Sequence, residues 1–314
     1  ILSPNQIKII MSIAPKTATL TSNPRPKSKD TEKWLWIGTP VALLTIIFSY
    51  LIFKHGSEFS IEGFKAGFNS DLVFYLLVGV VAQLVDGSLG MGYGATATSF
   101  LLTLGVPPAV SSTSVHLSEM FTTGASAISH FKFKNINKKL FRTLLIPGVI
   151  GSVIGAYLLS DVIDGNVIKP YISAYMIVLG GIIVSKGLKK NTIKKPTKRL
   201  GFLAIFGGFM DAVGGGGWGP IVTSTLIGRG RDPRYTIGSV NAAEFAVAFA
   251  SGVTFLLFEG INSWQVVLGL MLGGLVAAPL GAYLVNKVNR KPLMVIVGIL
   301  VIFLGLRVVL KAIL

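Results

Sequence analysis

Seven long apolar segments limit the possible fold of this chain more than any other feature. Each holds about 20 residues, enough for a helix to cross the roughly 30 Å hydrocarbon core of a bilayer. Their ranges are 34–53, 109–131, 141–160, 168–188, 235–258, 264–284 and 293–311. Only 13% of the 314 residues are charged, against roughly a quarter in soluble proteins. The sequence therefore predicts an all-α polytopic membrane protein and excludes a soluble enzyme and a disordered chain.

The positive charges lie in short clusters between the apolar segments. Lys and Arg outnumber Asp and Glu by 29 to 13, but they form no continuous patch, so we predict no nucleic-acid partner. The basic clusters fall at 132–142, 186–199, 229–234 and 287–291, and acidic residues fall at 161, 164 and 259. Basic loops are typical of the cytoplasmic side of a membrane. We therefore expect a cytoplasmic N-terminus and an inner-membrane location.

The second half of the chain repeats the first at an offset of 125 positions. DGSLGMGYG at 86–94 aligns with DAVGGGGWG at 211–219, and 14 of the 41 positions from 86 to 126 are identical to their counterparts. Composition alone would give about three or four identities. Internal duplication at this scale is typical of transporter folds.

Two further segments, 71–104 and 200–228, are apolar at both ends and interrupted by glycine-rich stretches. If both re-enter the membrane and leave on the same side, every basic loop is cytoplasmic; if both cross, at least two basic clusters lie outside. Each repeat then holds three full spans, an odd number, so we predict two inverted repeats, each with a Gly-broken re-entrant or discontinuous helix pair. The predicted organisation is a basic tail (1–33), an N-terminal span with an interfacial connector (34–70), transport repeat 1 (71–188), a basic cytoplasmic linker (189–199) and transport repeat 2 (200–314).

Four carboxylates, Asp86, Glu119, Asp211 and Glu244, lie within apolar segments and superimpose in pairs under the repeat. An ionisable side chain costs about 2.5–3.5 kcal/mol at the centre of a span, and such groups usually line substrate or proton paths. We predict that they couple transport to protons or gate it. The alternative for Asp86 and Asp211 is a structural role, in which they hold loose backbone amides at the glycine breaks.

His116 lies one helical turn before Glu119, and Asn241 holds the equivalent position before Glu244. With Ser114 and Ser239 nearby, these polar side chains are candidates for hydrogen bonds to an oxyanion, or alternatively for contacts between helices. The string HLSE lacks the second histidine of a zinc motif and the chain has no cysteine. We therefore predict no metal, no cofactor and no catalytic residue.

The two glycine stretches are the strongest candidate for a binding site in this sequence. Glycines allow backbone amides to converge on a ligand, and a half-helix that begins after them adds the positive end of its dipole. The predicted anion-binding residues are Gly90, Gly92, Gly94, Thr98 and Ser99, with Gly215, Gly217, Gly219, Thr223 and Ser224 in the second copy. Tyr93 and Trp218 are candidate gates, or alternatively ordinary packing residues.

These paired motifs, each followed by a Gly/Pro turn and S-V-x-x-x-E, resemble the sulfite exporter TauE/SafE family of membrane permeases over about residues 71–311. The resemblance implies transport of a small sulfur-containing anion such as sulfite, a sulfonate or sulfoacetate across a bacterial inner membrane. The segment 34–53 is an addition to the commonest layout of the family.

The sequence thus favours a secondary transporter that works by alternating access, with protons as the expected coupling ion. Two other classes stay open. The four carboxylates would suit a cation channel or carrier, and His116 with Glu119 would suit a membrane-embedded enzyme.

Overall fold

The computed structural model describes residues 70–89, 91–132, 134–188, 199–260, 264–284 and 289–313. Within these ranges the chain is helical and contains no β-strand, as the sequence predicts. The predicted tail and N-terminal span (1–69) and most of the predicted linker lie outside the described residues.

Ten helices are described, five in each half of the chain. The first five are α1 Ser70–Leu89, α2 Tyr93–Thr103, α3 Pro108–Lys132, α4 Lys138–Tyr157 and α5 Gly165–Leu188. The second five are α6 Leu200–Gly214, α7 Gly219–Gly228, α8 Pro233–Phe258, α9 Trp264–Leu284 and α10 Arg290–Ile313. A π-helical turn extends α4 to Val162, and another forms the start of α7.

The helix boundaries follow the sequence repeat. The ends of α1 and α6, the ends of α2 and α7, and the starts of α3 and α8 are each separated by 125 positions. Proline, which suits the first turn of a helix, begins both α3 and α8. The glycine stretches fall between α1 and α2 and between α6 and α7, so each broken segment consists of two helices.

Four described helices are long and apolar enough to cross a membrane. They span Lys138–Val162, Val167–Leu188, Arg234–Phe258 and Lys291–Lys311. The predicted span 109–131 corresponds to α3, which is long enough but is not among these four. Its serines, threonines, His116 and Glu119 make it too polar. The predicted span 264–284 is the helix α9, whose apolar stretch Trp264–Ala277 is shorter than the rest.

The distribution of polar side chains explains why a polar helix belongs in this fold. Every residue of α3 from Ser111 to Met120 is buried, whereas large apolar side chains on outer helices are exposed. Tyr171 is 70% exposed, Ile146 65% and Phe303 63%. An apolar exterior around an interior that includes many polar side chains suits a lipid environment, where buried polar groups line functional cavities.

Glycines bring two helix pairs into backbone contact. The helix α4 packs against α6, and α1 packs against α9. The facing residues are Gly151 with Ile205, Gly155 with Phe209, Gly269 with Tyr75, and Gly273 with Leu76 and Val80. Because the residue numbers rise together on both sides, the helices in each pair run parallel. Small residues at such interfaces allow close helix approach in membranes.

Two other pairs join equivalent helices of the two halves. The helix α3 packs against α8, and α5 packs against α10. The facing residues are Gly124 with Phe245, Met120 with Gly252, Gly180 with Gly298, and Gly187 with Val295. Here the numbers rise on one side as they fall on the other, so equivalent helices run antiparallel.

Candidate functional site

The two glycine breaks touch each other in the buried interior of the protein. A Cβ atom on Gly94 would lie 2.6 Å from the Cα of Gly216 and 2.7 Å from the carbonyl oxygen of Gly215. A Cβ atom on Gly219 would lie 2.8 Å from the Cβ of Met91. The close approach of the breaks therefore depends on glycine at Gly94, Gly216 and Gly219.

Two of the predicted glycines have backbone angles that side chains disfavour. Gly92 has φ of 106° and Gly215 has φ of 66°, both in the left-handed region. The hydroxyl of Thr98 donates to the carbonyl oxygen of Gly215 at 2.5 Å, which links α2 to the second break. Gly90 lies outside the described residues.

Asp211 organises the second break. Its Oδ1 atom accepts hydrogen bonds from the backbone N–H groups of Gly217 at 2.6 Å and Trp218 at 2.8 Å. In the first copy, the backbone N–H of Tyr93 bonds to Asp86. The amide-holding role considered from the sequence is therefore present in the geometry of both aspartates.

Asp211 also forms a buried cluster with His116 and Glu119 of α3. The Nε2 atom of His116 lies 3.2 Å from Oδ2 of Asp211. One ligand atom from each of the three residues lies within 4.8 Å of the others. The side-chain types would suit a metal ion, but both oxygens of Asp211 and both nitrogens of His116 already have protein partners. Hydrogen bonds within the protein therefore account for the arrangement of Asp211 and His116 without a metal ion.

Glu119 is the cluster member with an unused atom. Its side chain is 3% exposed, and its Oε2 atom has no hydrogen-bond partner. The backbone N–H of Gly94 bonds to the carboxyl group, which ties α3 to the first break. Glu119 also interacts electrostatically with Asp86, Asp211 and Glu244. The structure therefore brings the four predicted carboxylates into one electrostatic group.

The predicted hydroxyls have different partners. The side-chain oxygens of Ser99 and Thr223 are buried without a hydrogen-bond partner. Ser224 donates to the carbonyl oxygen of Pro220 within its own helix. Ser114 is buried on α3, two residues before His116. Ser99 on α2 and Thr223 on α7 are thus the hydroxyls available to a ligand.

Two predicted site residues form their hydrogen bonds elsewhere. Ser239 accepts from the backbone N–H of Asn137 at 2.8 Å and donates to the carbonyl oxygen of Tyr235 at 2.6 Å. Asn241 donates to Ser126 at 3.1 Å. The structure does not give either residue a hydrogen bond to the carboxylate cluster, so their predicted contact with substrate stays a prediction.

The two aromatic side chains beside the breaks are deeply packed. Tyr93 donates its hydroxyl to the carbonyl oxygen of Leu270 at 3.3 Å. Trp218 is fully buried, and its Nε1–H donates to the carbonyl oxygen of Val240 at 3.3 Å. It belongs to an apolar cluster that includes Leu144. These contacts are those of packing residues, and a gating role for either stays a prediction.

Some residues near the breaks were not predicted from the sequence. Lys186 on α5 donates to the hydroxyl of Ser224 at 2.5 Å and to the carbonyl oxygen of Pro220 at 3.3 Å. The hydroxyl of Tyr175 on α5 lies 3.5 Å from the carbonyl oxygen of Gly216. Thr96 and Gln83 carry further buried oxygens without partners. The predicted span 168–188 already contains Lys186, although this residue also begins the basic cluster 186–199. The helix α5 does end at Leu188, which places this cation against α7.

Comparisons with known proteins agree with the resemblance that the motifs indicate. The profile of the family described as "Sulfite exporter TauE/SafE" matches residues 75–308. "Probable membrane transporter protein YtnM" of Bacillus subtilis (strain 168) is 43% identical over 247 residues, which are 75% of this chain and 82% of that protein. "Probable membrane transporter protein YunE" of the same organism is 22% identical over 77% of this chain and 98% of its own length.

A plant protein is similar over a shorter region. "Sulfite exporter TauE/SafE family protein 3" of Arabidopsis thaliana is 36% identical over 63 residues, which are 20% of this chain and 13% of that protein. No solved structure matches the chain. The matched range 75–308 includes both glycine breaks and the four carboxylates Asp86, Glu119, Asp211 and Glu244.

Proposed function

Because the chain belongs to the sulfite exporter TauE/SafE family, we propose that it is a secondary transporter for a small sulfur-containing anion, such as sulfite, a sulfonate or sulfoacetate. The observation that carries this proposal is the contact between the two glycine breaks, together with the unpartnered buried hydroxyls on the half-helices that follow them. Buried polar groups normally have partners, so such atoms mark a place where a ligand completes the hydrogen bonding.

The polarity of the half-helices favours an anion. Both α2 and α7 begin at the touching breaks, so the positive ends of their dipoles meet there. Ser99 and Thr223 add neutral donors, and Lys186 adds a positive charge beside Ser224. A sulfur oxyanion needs several converging donors, and a carboxylate beside it must be protonated or paired with a cation.

The arrangement of the helices suggests how access alternates. Equivalent helices pack antiparallel, while α1 and α6 each run parallel to a helix of the other repeat. These directions support a pair of inverted repeats in which α1–α2 and α6–α7 enter the membrane and return. Rocking of one repeat against the other would expose the central site to each side in turn.

Glu119 and Glu244 are the proposed proton carriers. They occupy equivalent positions in the two repeats and interact electrostatically. Two carboxylates that share a poorly solvated space cannot both ionise cheaply, so the pair should titrate jointly. A proton that binds to one carboxylate from one side of the membrane and is released to the opposite side would couple the flux of the anion to the pH gradient.

A cation carrier is the second candidate, and the unpartnered Oε2 atom of Glu119 is the observation in its favour. The two candidates differ in what crosses the membrane. Flux of an anion that is unaffected by replacing sodium and potassium with choline would support the first. A membrane-embedded enzyme based on His116 and Glu119 would instead convert substrate without net transport.

The side of the membrane on which each loop lies can be tested with single cysteines. We expect a cysteine in place of Lys139 to be protected from an impermeant maleimide in intact cells, and one in place of Asp161 to react. Both positions are exposed and they lie at opposite ends of the span Lys138–Val162. The chain has no native cysteine to remove. The reverse labelling pattern would contradict a cytoplasmic N-terminus.

A hydroxyl deletion tests the anion site directly. We expect Thr223→Val to weaken binding of the transported anion about tenfold, because valine keeps the shape and removes one donor. Isothermal titration of purified protein measures this change. The matched control is Thr254→Val, since that hydroxyl is also buried but bonds within its own helix to Ala250. Equal affinities in both variants would remove Thr223 from the site.

A further inference from the structure

We propose that the carboxylate of Asp211 is a built-in anion that occupies the binding amides of the second break, that a protonated His116 holds it, and that the transported anion displaces it. The proposal rests on the anion-transport function above and adds a mechanism for its pH dependence. It is carried by the hydrogen bonds of two side chains that lie 95 positions apart in the chain.

The first step concerns the occupied amides. The N–H groups of Gly217 and Trp218 both point to Oδ1 of Asp211, at 2.6 and 2.8 Å. A carboxylate and a sulfur oxyanion require the same donors. An anion therefore reaches these amides only if the carboxylate leaves them. Thr223, whose buried hydroxyl has no hydrogen-bond partner, lies five residues beyond Trp218 on α7.

The second step concerns the protons of His116. Its Nδ1 atom lies 2.8 Å from the carbonyl oxygen of Ser112. The hydroxyl of Ser112 is also near Nδ1, but it donates its own hydrogen to the carbonyl oxygen of Ala212 at 2.5 Å. The Nε2 atom faces Oδ2 of Asp211. With Asp211 ionised, carbonyl and carboxylate oxygens only accept, so both ring nitrogens donate and His116 is an imidazolium. A proton on Oδ2 of Asp211 would satisfy the same contact with a neutral ring, and the ¹⁵N shifts of the ring distinguish the two.

The third step concerns the charges around this imidazolium. Glu119 on α3 lies in the same cluster, and it interacts electrostatically with Asp86 on α1 and Glu244 on α8. Two hydroxyls also belong to this environment, those of Tyr175 on α5 and Tyr93 on α2. The ring of Phe255 on α8 lies 5.8 Å from that of His116 and contributes no charge.

An arriving anion adds negative charge to a group that already holds four carboxylates. Once displaced from the amides, Asp211 keeps His116 as its charged partner. The anion-bound state therefore requires the imidazolium more strongly than the empty state does. Anion affinity should fall as the pH rises and His116 loses its proton.

The first break lacks the equivalent pair. Asn241, the counterpart of His116, donates to Ser126, and an amide cannot carry a proton. Asp86 bonds to the amide of Tyr93 but has no histidine at the equivalent position. The proton-dependent displacement is therefore confined to the second break, although the two repeats share their glycines and carboxylates.

The test compares two variants whose expected effects have opposite signs. We expect Asp211→Asn to bind methanesulfonate and thiosulfate about tenfold more tightly than the wild type, because a neutral amide oxygen releases the backbone donors more easily. We expect His116→Asn to bind them about tenfold more weakly and with a shallower pH dependence, of which the remainder belongs to Glu119 and Glu244. Both probes keep their charge between about pH 6 and pH 8, so the dependence reports on the protein.

Each variant has a matched control. His130→Asn makes the same change on the same helix, where His130 contacts Asn135. Asp232→Asn alters a carboxylate that also accepts two backbone N–H groups, those of Arg234 and Tyr235. Both controls should keep wild-type affinity and pH dependence. General damage to the fold would weaken binding in both site variants, whereas displacement predicts opposite changes.

A second measurement needs no anion. In protein with ¹⁵N-labelled histidine, the ring nitrogens of His116 should both show protonated shifts at about pH 7. A neutral ring, or equal anion affinities in Asp211→Asn and the wild type, would overturn the proposal. If wild-type flux is intact and these affinities are equal, only the displacement fails. If the wild type neither binds nor transports any sulfur oxyanion or sulfonate, the transport function fails with it.

Discussion

Replacing Gly216 with alanine should abolish anion flux, with a loss of at least about 100-fold, while the protein still inserts into the membrane. The reason is the contact between the two breaks. A Cβ atom on Gly216 would overlap the backbone of Gly94 and Ala95. These are backbone atoms, which cannot rotate away as a flexible side chain would. The half-helices α2 and α7 must therefore separate. Uptake of labelled anion into proteoliposomes measures the loss.

The control for this change is Gly181→Ala. Gly181 lies in α5 with no atom near the position of a new Cβ, so the same substitution should leave flux unchanged. Monodisperse elution of both variants in detergent would show that they fold. Normal flux in the Gly216 variant would contradict the idea that the touching breaks form the site.

Replacing Glu119 with glutamine should abolish accumulation driven by a pH gradient while exchange of anion for anion continues. Glutamine keeps the size of the side chain but cannot carry the proton. A gradient of one pH unit would support about tenfold accumulation at one proton per anion, and the variant should show none. Counterflow with equal pH on both sides should be reduced far less, because it needs no net proton movement.

The matched control is Glu259→Gln at the end of α8. Burial also raises the pKa of the Glu259 carboxyl above its usual range, but the residue lies outside the cluster. This variant should keep its gradient-driven accumulation. Full gradient dependence in the Glu119 variant would assign proton coupling to another group, with His116 and Asp211 as the next candidates.

The sequence predicts the helical class and the interruption of two segments because these depend on local patterns. Glycine-rich stretches at 87–94 and 214–219 break the helices there, after Leu89 and Gly214. The helix α3 is harder to assign, since its serines, threonines and Glu119 resemble a solvated helix by composition. Its burial depends on packing against α8 and α9, which no local pattern records.

The site is only partly encoded in local sequence. The intramembrane carboxylates stand out because charge is costly in an apolar segment. The pairing of His116 with Asp211 joins different repeats, and the repeat itself aligns His116 with Asn241 instead. Lys186 was counted among loop charges, although a helical residue so near the end of α5 can reach back to α7. Both contacts follow from tertiary packing.

The central claim is that the chain moves a sulfur-containing anion through the site between the two glycine breaks. The most direct measurement is uptake by proteoliposomes of sulfite, thiosulfate, sulfonates and inorganic anions, each with and without a pH gradient. The account predicts saturable uptake of at least one sulfur oxyanion or sulfonate that does not depend on sodium or potassium and disappears in the Gly216 variant. Flux of cations without anion uptake, or anion uptake that survives Gly216→Ala, would contradict it.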